Sequence, residues 1–157
     1  MSTFAVKFLG CKVSQADAMT ARAALLLAGH REVAEAEADL HVINTCCITS
    51  EAEAKSRQSV RRSLRQAGQV FVSGCAANLD AARFAAIDAR VRPFTGTAEE
   101  VARAMAAGLG GCADLEHEVA VGSELRVRGA GAAGSTRTRG FVKVQDGCDC
   151  HCAYCII

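Results

Sequence analysis

Three cysteines near the end of the chain, Cys148, Cys152 and Cys155, are separated by gaps of three and two residues. Short loops with such gaps supply thiolate ligands to 4Fe–4S clusters, and three ligands leave one iron without a protein ligand. That open iron could bind a substrate or cofactor. Tyr154 stands directly before the last of these cysteines, where its ring could support a bound nucleoside. We therefore expect a metal cluster at this loop, with a cofactor beside it.

Zinc is the main alternative for the same loop, because four cysteines and a histidine within eight residues also suit a tetrahedral site. These residues are Cys148, Cys150, His151, Cys152 and Cys155. Structural zinc sites usually join two ligand pairs across a longer loop, which makes zinc the weaker interpretation. A ferredoxin-type electron carrier would need a fourth cysteine for its cluster, and Cys150 or Cys112 could supply it.

The composition indicates a globular α/β protein. Half of the 157 residues are apolar, which is enough to bury a core, and strand and helix patterns alternate along the chain. Nine cysteines without a signal peptide or a membrane-length apolar run predict a reducing compartment, so we expect the cytoplasm and no membrane partner. A net charge of +1 means that any nucleic-acid surface must come from local patches.

Four strand patterns and four helix patterns follow one another in the first part of the chain. The predicted strands are Thr3 to Leu9, Asp39 to Thr45, Gln69 to Gly74 and a short Val91 to Thr95. The predicted helices are Gln15 to Ala28 with Ser14 as N-cap, Ser50 to about Ala67 with a Ser50–Glu53 capping box, Asn78 to Ala89, and a helix capped by Thr97 and Glu100 that runs to about Gly108.

Three further cysteines, Cys11, Cys46 and Cys75, each follow one of the first three predicted strands. The carboxyl ends of parallel strands share one edge of the sheet, where open α/β folds bind ligands. These thiols could therefore converge, although a lone cysteine in an apolar strand is more often simply buried. The repeated position favours a second metal site. Neighbouring side chains in an extended segment alternate, so we expect Cys47 to pack against the adjacent helix.

Four pieces of the sequence together resemble one family. LGCKVSQ, VINTCCIT, VSGC and QDGCDCHCAYCII, in this order and spacing, are similar to the radical S-adenosylmethionine methylthiotransferases that modify tRNA. The first piece is closer to the branch that acts on N6-threonylcarbamoyladenosine at position 37 than to the isopentenyladenosine branch. Ser14, Cys47 and Cys150 stand where the family commonly has Asn, Thr and Asn.

The resemblance implies two 4Fe–4S clusters and S-adenosylmethionine. One cluster would be held by Cys11, Cys46 and Cys75 and would carry sulfur, and the other, on the CxxxCxxC loop with Tyr154 beside its cofactor, would yield a 5'-deoxyadenosyl radical that acts at adenine C2. The implied partners are the tRNA anticodon loop at adenosine 37 and an electron donor such as flavodoxin or ferredoxin. Asn44, Thr45 and Gln15 could hydrogen-bond the sulfurs of the first cluster. No catalytic residue can be named.

The resemblance also divides the chain into residues 1–108, a methylthiotransferase-type parallel α/β domain, a Gly/Ala-rich linker at 109–135, and residues 136–157. That last segment would hold only the first strand and the cluster loop of a radical S-adenosylmethionine β/α barrel. We therefore expect this chain alone to be inactive in methylthiolation. The competing hypothesis is a non-catalytic iron–sulfur or zinc-binding module that recognises a protein or RNA partner.

One helix pattern carries a basic stripe, because Arg57, Arg61 and Arg65 recur every four residues. Such a face could contact phosphates, although a solvated helix face is the more common meaning of a charge run. Cys112 and His117 lie in the linker and are expected to face solvent.

Overall fold

The computed structural model describes residues 1–110 and residue 153. In this part of the chain, helices follow strands in a repeated βα order. The elements are β1 (Thr3–Phe8), α1 (Lys12–Leu27), β2 (Arg31–Glu32), a 3₁₀ helix (Glu35–Glu37), β3 (Leu40–Thr45), α2 (Ser50–Ser63), β4 (Gln69–Gly74), α3 (Cys75–Leu79), α4 (Ala81–Ala85), β5 (Val91–Pro93) and α5 (Ala98–Gly108).

The described strands form one parallel sheet in the order β2-β1-β3-β4-β5, which confirms the predicted α/β class. The chain leaves β1 toward one side of the sheet and leaves β3 toward the other. The direction of winding therefore reverses between β1 and β3. In open α/β sheets, the crevice at the carboxyl ends beside such a reversal is the usual ligand site.

Two apolar layers cover the two faces of the sheet. On one face, residues of α1 and α5 such as Leu25 and Met105 pack against Phe4, Val42 and Phe71 of the strands. The opposite layer contains Ile43, Val70 and Val72 together with Val60 of α2 and Phe84 of α4. All six residues of β3 are buried, as expected for the central strand of a sheet that is covered on both sides.

Two predicted helix starts are wrong. Cys11, not Ser14, is the N-cap of α1, because Cys11 is extended (φ −85°, ψ −174°) and its carbonyl already accepts from Gln15 N at 3.2 Å. Helix α2 is capped by Thr49, whose hydroxyl accepts from Ala52 N at 3.0 Å. Glu53 does not complete a capping box, and its carboxylate pairs with Arg57 and Arg83 instead.

The helix predicted from Asn78 to Ala89 is instead the pair α3 and α4. Asp80 leaves the helical conformation (φ −152°, ψ 80°), and its carboxylate accepts from Arg83 N at 3.0 Å. An aspartate that caps the next helix thus interrupts the helical pattern. The capping box of Thr97 and Glu100 at the start of α5 is confirmed.

The edges of the sheet are short. Strand β2, which periodicity did not predict, pairs only two residues with β1, Thr3 with Arg31 and Phe4 with Glu32. On the opposite side, β5 ends at Pro93, earlier than the predicted Thr95. Proline has no N–H to donate to a ladder, so it is found mainly on edge strands.

Within residues 1–110, no helix combines the length and the apolar character that a membrane crossing needs.

A buried histidine on the central strand makes stability depend on pH. His41 is 1% exposed, its ring Nε2 lies 2.8 Å from the carbonyl oxygen of Glu35, and its Nδ1 has no hydrogen-bond partner among the described residues. Burial, and then the charge of Lys7, lower the pKa of His41 below 6.5. His30 is shifted in the same direction by burial and the N-terminal amino group.

We predict that the free energy of unfolding falls as the pH is lowered below 6.5, the ordinary histidine value. The unfolded chain then binds protons that the folded domain resists, which shifts the equilibrium toward unfolding. Urea unfolding of the chain at several pH values measures this slope. His41→Gln keeps a donor for the Glu35 carbonyl but cannot titrate, so its slope should be flatter. An equal slope in both proteins would contradict the assignment to His41.

Candidate metal centre

Three of the predicted ligands lie at the carboxyl ends of three neighbouring strands. Cys46 directly follows β3 and Cys75 directly follows β4, and the last pair of the ladder between these strands is Thr45 with Gly74. Cys11 follows β1, which pairs with the other side of β3. The structure therefore brings Cys11, Cys46 and Cys75 to one edge of the sheet, beside the reversal of winding.

Gly10 fixes the distance between the Cys11 turn and Cys46. Its φ is +119°, and a Cβ at this position would lie 2.7 Å from Cys46 Cβ and 2.8 Å from Cys46 Sγ. Such contacts are too short for real carbon atoms. Only glycine allows the backbone to approach this thiol so closely, and the approach leaves Cys46 3% exposed.

Cys11 is the N-cap of α1, where backbone donors favour its thiolate. Partial burial by itself raises the pKa of this thiol. Hydrogen bonds from the backbone N–H groups of Ser14 and Val13 outweigh that effect and hold the pKa of Cys11 below its usual 9.0. The Ser14 hydroxyl lies 3.9 Å from Cys11 Sγ. Thiolates are the form that binds metals, so this position favours ligation.

Cys75 and Cys47 are shifted the other way. Burial, followed by the neighbouring Cys47, Cys46 and Cys11 thiols, raises the pKa of Cys75. Burial, then Cys46 and Glu53, raises the pKa of Cys47. Four sulfurs thus influence one another at this edge. Cys47 packs against the apolar layer that contains Val60 of α2.

Two buried hydroxyls that sequence reasoning did not assign to this role anchor the ligand-bearing ends. Ser56 of α2 is 0% exposed, and its hydroxyl accepts from Cys46 N at 3.2 Å and lies 2.9 Å from the carbonyl oxygen of Ala52. The Thr45 hydroxyl donates to Ser73 O at 2.6 Å and accepts from Ala77 N at 3.3 Å. Thr45 therefore uses its hydroxyl to tie β3 to β4 and α3.

Asn44 is a polar side chain with an unused hydrogen-bonding atom at the same edge. It is 3% exposed, and its Oδ1 has no partner among the described residues. The oxygen and nitrogen of an amide are assigned from their surroundings, so either atom can face this position. A buried polar atom without a partner costs about 1–3 kcal/mol, which a ligand could recover.

The thiol set can be compared with what a single metal ion and a metal cluster each require. Within residues 1–110, no three His, Cys, Asp or Glu side chains lie close enough together to coordinate one metal ion. In a 4Fe–4S cluster, each cysteine binds a different iron, so the sulfurs stand further apart than around one ion. Three cysteines from separate loops, a glycine that clears space and an unpartnered amide all fit such a group.

An apolar rim surrounds this edge of the sheet. Phe8 ends β1, Val13 lies in the first turn of α1, Ile48 follows Cys47, and Leu79 ends α3, and each of these side chains is exposed. Single exposed apolar residues are common, but several around one site indicate a surface suited to burial by another surface.

Only part of the basic stripe on α2 is engaged in salt bridges. Arg57 pairs with Glu53, which Arg83 also contacts at 2.6 Å. Arg61 and Arg65 are exposed, and neither forms a salt bridge with a residue of the described part of the chain.

The remaining predicted site residues lie outside the described residues. These are Cys148, Cys152, Cys155 and Tyr154, together with Cys112, His117, Cys150 and the predicted strand at 141–145.

The model of the uncharacterized protein family UPF0004 matches residues 3–96, which contain all of the strands just described. The chain belongs to this family. Its match includes Cys11, Cys46 and Cys75.

Curated relatives of this UPF0004 chain are named as methylthiotransferases or as a methylthio-adenosine synthase. Two are threonylcarbamoyladenosine tRNA methylthiotransferases MtaB, from Chlamydia pneumoniae (33% identity over 99% of this chain) and Bacillus subtilis (34% over 100%). A tRNA-2-methylthio-N(6)-dimethylallyladenosine synthase of Sphingopyxis alaskensis is 31% identical over 99%. The chain spans 35–36% of the length of these relatives. The resemblance to the methylthiotransferases is thereby confirmed.

We predict that Gly74→Ala disrupts the candidate site. Gly74 has φ +90°, and a Cβ there would overlap Asn44 Oδ1 and lie 2.5 Å from the carbonyl oxygen of Thr45. Gly29→Ala is the matched control, because Gly29 has φ +83° but no atom within 4 Å of the added carbon. Backbone strain alone costs about 1–2 kcal/mol, and forced contacts add about 1–3 kcal/mol. Urea unfolding should therefore show a larger loss for Gly74→Ala, and equal losses would contradict the contact.

Proposed function

We propose that this chain is part of a tRNA methylthiotransferase that adds a methylthio group to C2 of N6-threonylcarbamoyladenosine at position 37. The observation that carries the proposal is the placement of Cys11, Cys46 and Cys75 at the carboxyl ends of three adjacent parallel strands. The names of the relatives support the reaction class, and the Chlamydia and Bacillus proteins favour the threonylcarbamoyladenosine branch.

The proposed enzyme uses two 4Fe–4S clusters and S-adenosylmethionine in the cytoplasm, with an electron donor such as flavodoxin or ferredoxin. Three thiols, those of Cys11, Cys46 and Cys75, would hold one cluster. The other would be held by Cys148, Cys152 and Cys155, with Tyr154 beside the cofactor. When bound, these groups supply the radical and sulfur-transfer chemistry, while the protein supplies position and surroundings.

Within residues 1–110, the chain supplies a preorganised thiol set. The N–H groups at the start of α1 favour the thiolate of Cys11, so this ligand is prepared before any metal arrives. Ser56 and Thr45 hold the backbone beside Cys46 and β4 in place. Asn44 offers a polar atom that could orient a sulfur-containing group. The apolar rim would limit water at the site once it is covered by another surface.

The second candidate function is a non-catalytic iron–sulfur or zinc-binding module that recognises a protein or RNA partner. Anaerobic reconstitution with iron and sulfide separates the two. Two clusters of four irons predict about eight irons per chain with broad visible absorption. Stable zinc without that absorption would favour the module and contradict the enzyme.

We predict that Cys46→Ala loses about half of the reconstituted iron, because one of two clusters loses a ligand, whereas Cys47→Ala loses almost none. The two substitutions are adjacent and remove the same atoms, so each serves as the control of the other. Iron analysis and visible absorption under anaerobic conditions measure the result. If Cys47→Ala lost the iron and Cys46→Ala kept it, the ligand would be Cys47 instead of Cys46.

The reaction itself is tested in a bacterial host whose own threonylcarbamoyladenosine methylthiotransferase gene is deleted. Mass spectrometry of tRNA nucleosides then reports whether the methylthio group returns. We expect the methylthio group on threonylcarbamoyladenosine to return with a protein that contains this chain and has the full length of the relatives. A methylthio group on dimethylallyladenosine instead would assign the chain to the other branch, and the absence of both products would contradict the function.

The exposed arginines of α2 suit contact with the tRNA backbone. Arg61 and Arg65 lie one turn apart on α2. Burial lowers the pKa of Lys7, and the positive charge of the nearby Arg62 lowers it further. Acidic groups near these residues are engaged, since Glu35 pairs with Lys7 and Asp88 pairs with Arg90 at 3.0 Å. Positive charge therefore accumulates beside α2, which is what an RNA phosphate backbone attracts.

We predict that the double variant Arg61→Ala/Arg65→Ala weakens tRNA binding and lowers its salt dependence. Each phosphate contact contributes about 0.7–0.9 to the slope of log K against log salt, so two lost contacts lower it by about 1.4–1.8. Arg103→Ala is the control, since this exposed arginine of α5 lies on the opposite sheet face. Fluorescence anisotropy with labelled tRNA at several salt concentrations measures both. Equal slopes in the variants and the unaltered chain would exclude this surface.

A further inference from the structure

Asn44 touches each of the three segments that lead to the predicted ligands of the candidate metal centre. It belongs to β3, and its carbonyl oxygen accepts a hydrogen bond at 2.9 Å from the N–H of Leu9, just beyond β1. Its side-chain Oδ1 lies against Gly74 at the end of β4, where an added Cβ would overlap it. The three segments continue into Cys46, Cys11 and Cys75. Asn44 is therefore the residue at which the thiol-bearing segments meet.

Three polar residues were predicted to hydrogen-bond a group at this edge, and only Asn44 has a buried side-chain atom without a partner. The Thr45 hydroxyl is used twice, by Ser73 O at 2.6 Å and by Ala77 N at 3.3 Å. Gln15 takes part in a further interaction. Asn44 is 3% exposed, and its Oδ1 has no hydrogen-bond partner among the described residues. Buried polar groups are nearly always paired, so an unpaired one at this edge points to a ligand.

We propose that Asn44 is a positioning residue of the candidate metal centre, and that its amide donates a hydrogen bond to a sulfur atom of the iron–sulfur cluster bound there. The role rests on the proposed function, because the cluster supplies the acceptor. Sulfide and thiolate sulfurs accept hydrogen bonds but have no proton to donate, so the amide presents its N–H group. A half-turn of the side chain exchanges the two ends of the amide, which makes this orientation available.

The surroundings of Asn44 make such a hydrogen bond effective. Gly74 has no side chain, so the amide occupies a place beside the backbone of Thr45 that any other residue at position 74 would fill. The amide is screened from water there, and a hydrogen bond away from water is electrostatically stronger. A donor to a cluster sulfur stabilises the negative charge that reduction adds, and so raises the reduction potential. Asn44 would thus help to set the potential of the cluster.

In the metal-free chain, an unpartnered amide and a structural side chain respond differently to substitution. Asn44→Leu removes a polar atom without a partner, so the urea concentration at half-unfolding should not fall. Asn44→Val repeats the test with a shorter, β-branched side chain that suits a strand. Thr45→Val is the reference, because it removes a hydroxyl with two buried partners and should lower this midpoint. If both Asn44 variants lowered it as far as Thr45→Val, Asn44 would have a structural role and the proposal would be wrong.

The cluster experiment uses the 157-residue chain with Cys148→Ala, Cys152→Ala and Cys155→Ala, so that the second predicted site cannot contribute a signal. After anaerobic reconstitution, a redox titration with dithionite, followed by visible absorption, gives the reduction potential. Asn44→Leu and Asn44→Val in this parent chain should each shift the potential downward. Ser63→Ala should leave it unchanged. This control removes another buried hydroxyl without a partner among the described residues, at the last residue of α2.

Pulsed electron paramagnetic resonance identifies the hydrogen-bonding group itself. Asn44 and Asn78 are the two asparagines of the chain, and both ends of the Asn78 amide bond the backbone of Gly96, at 3.2 and 2.9 Å. With nitrogen-15 in the asparagine side chains, the reduced cluster should show a nitrogen coupling that Asn78→Ala retains and Asn44→Leu loses. No coupling in the parent chain, or its loss in Asn78→Ala instead, would overturn the proposal.

The parent chain separates this proposal from the proposed function. If it assembles no iron–sulfur cluster, the first cluster of the proposed function is absent and the role of Asn44 fails with it. If a cluster assembles but Asn44→Leu changes neither its potential nor its nitrogen coupling, the proposed function stands and the role of Asn44 alone is wrong. A lower potential together with a lost coupling supports both.

Discussion

The parallel pairing of β3 with both β1 and β4 is the constraint on which the candidate site depends. Residues from the three strands stand in one register, so Phe8, Asn44 and Ser73 form a row across the sheet just before it ends. The segments that carry Cys11, Cys46 and Cys75 leave the sheet beyond this row. A shift of register would separate these segments, and burial of β3 on both faces opposes any such shift.

Close contacts between backbone and side chains turn this shared edge into a defined site. Gly10 approaches Cys46, and Gly74 approaches Asn44 and Thr45, and both glycines adopt backbone angles that other residues rarely adopt. Buried hydroxyls of Thr45 and Ser56 then join the ends of β3 and β4 to the helices that follow. The thiols are therefore positioned by groups that are not themselves metal ligands. This is the arrangement that a precise functional site requires.

The sequence predicted the elements of this domain well where apolar patterns were long, and poorly where single side chains decided the outcome. The strands that carry the cysteines were placed within a residue or two, since runs such as QVFVSG are read from apolarity alone. Periodicity could not show that Asp80 would split a helix or that Thr49 rather than Ser50 would cap α2. The shared edge of the thiols followed from topology.

The two edge strands of the sheet influence how this domain can bind other molecules. Strand β2 offers only two paired residues, both charged, and β5 carries a proline, so neither border presents a long row of free backbone donors and acceptors. Such borders resist the addition of a strand from another chain and with it edge-to-edge aggregation. A protein partner of residues 1–110 is therefore more readily accommodated through side chains, and the apolar rim around the thiols is a surface whose burial would be favourable.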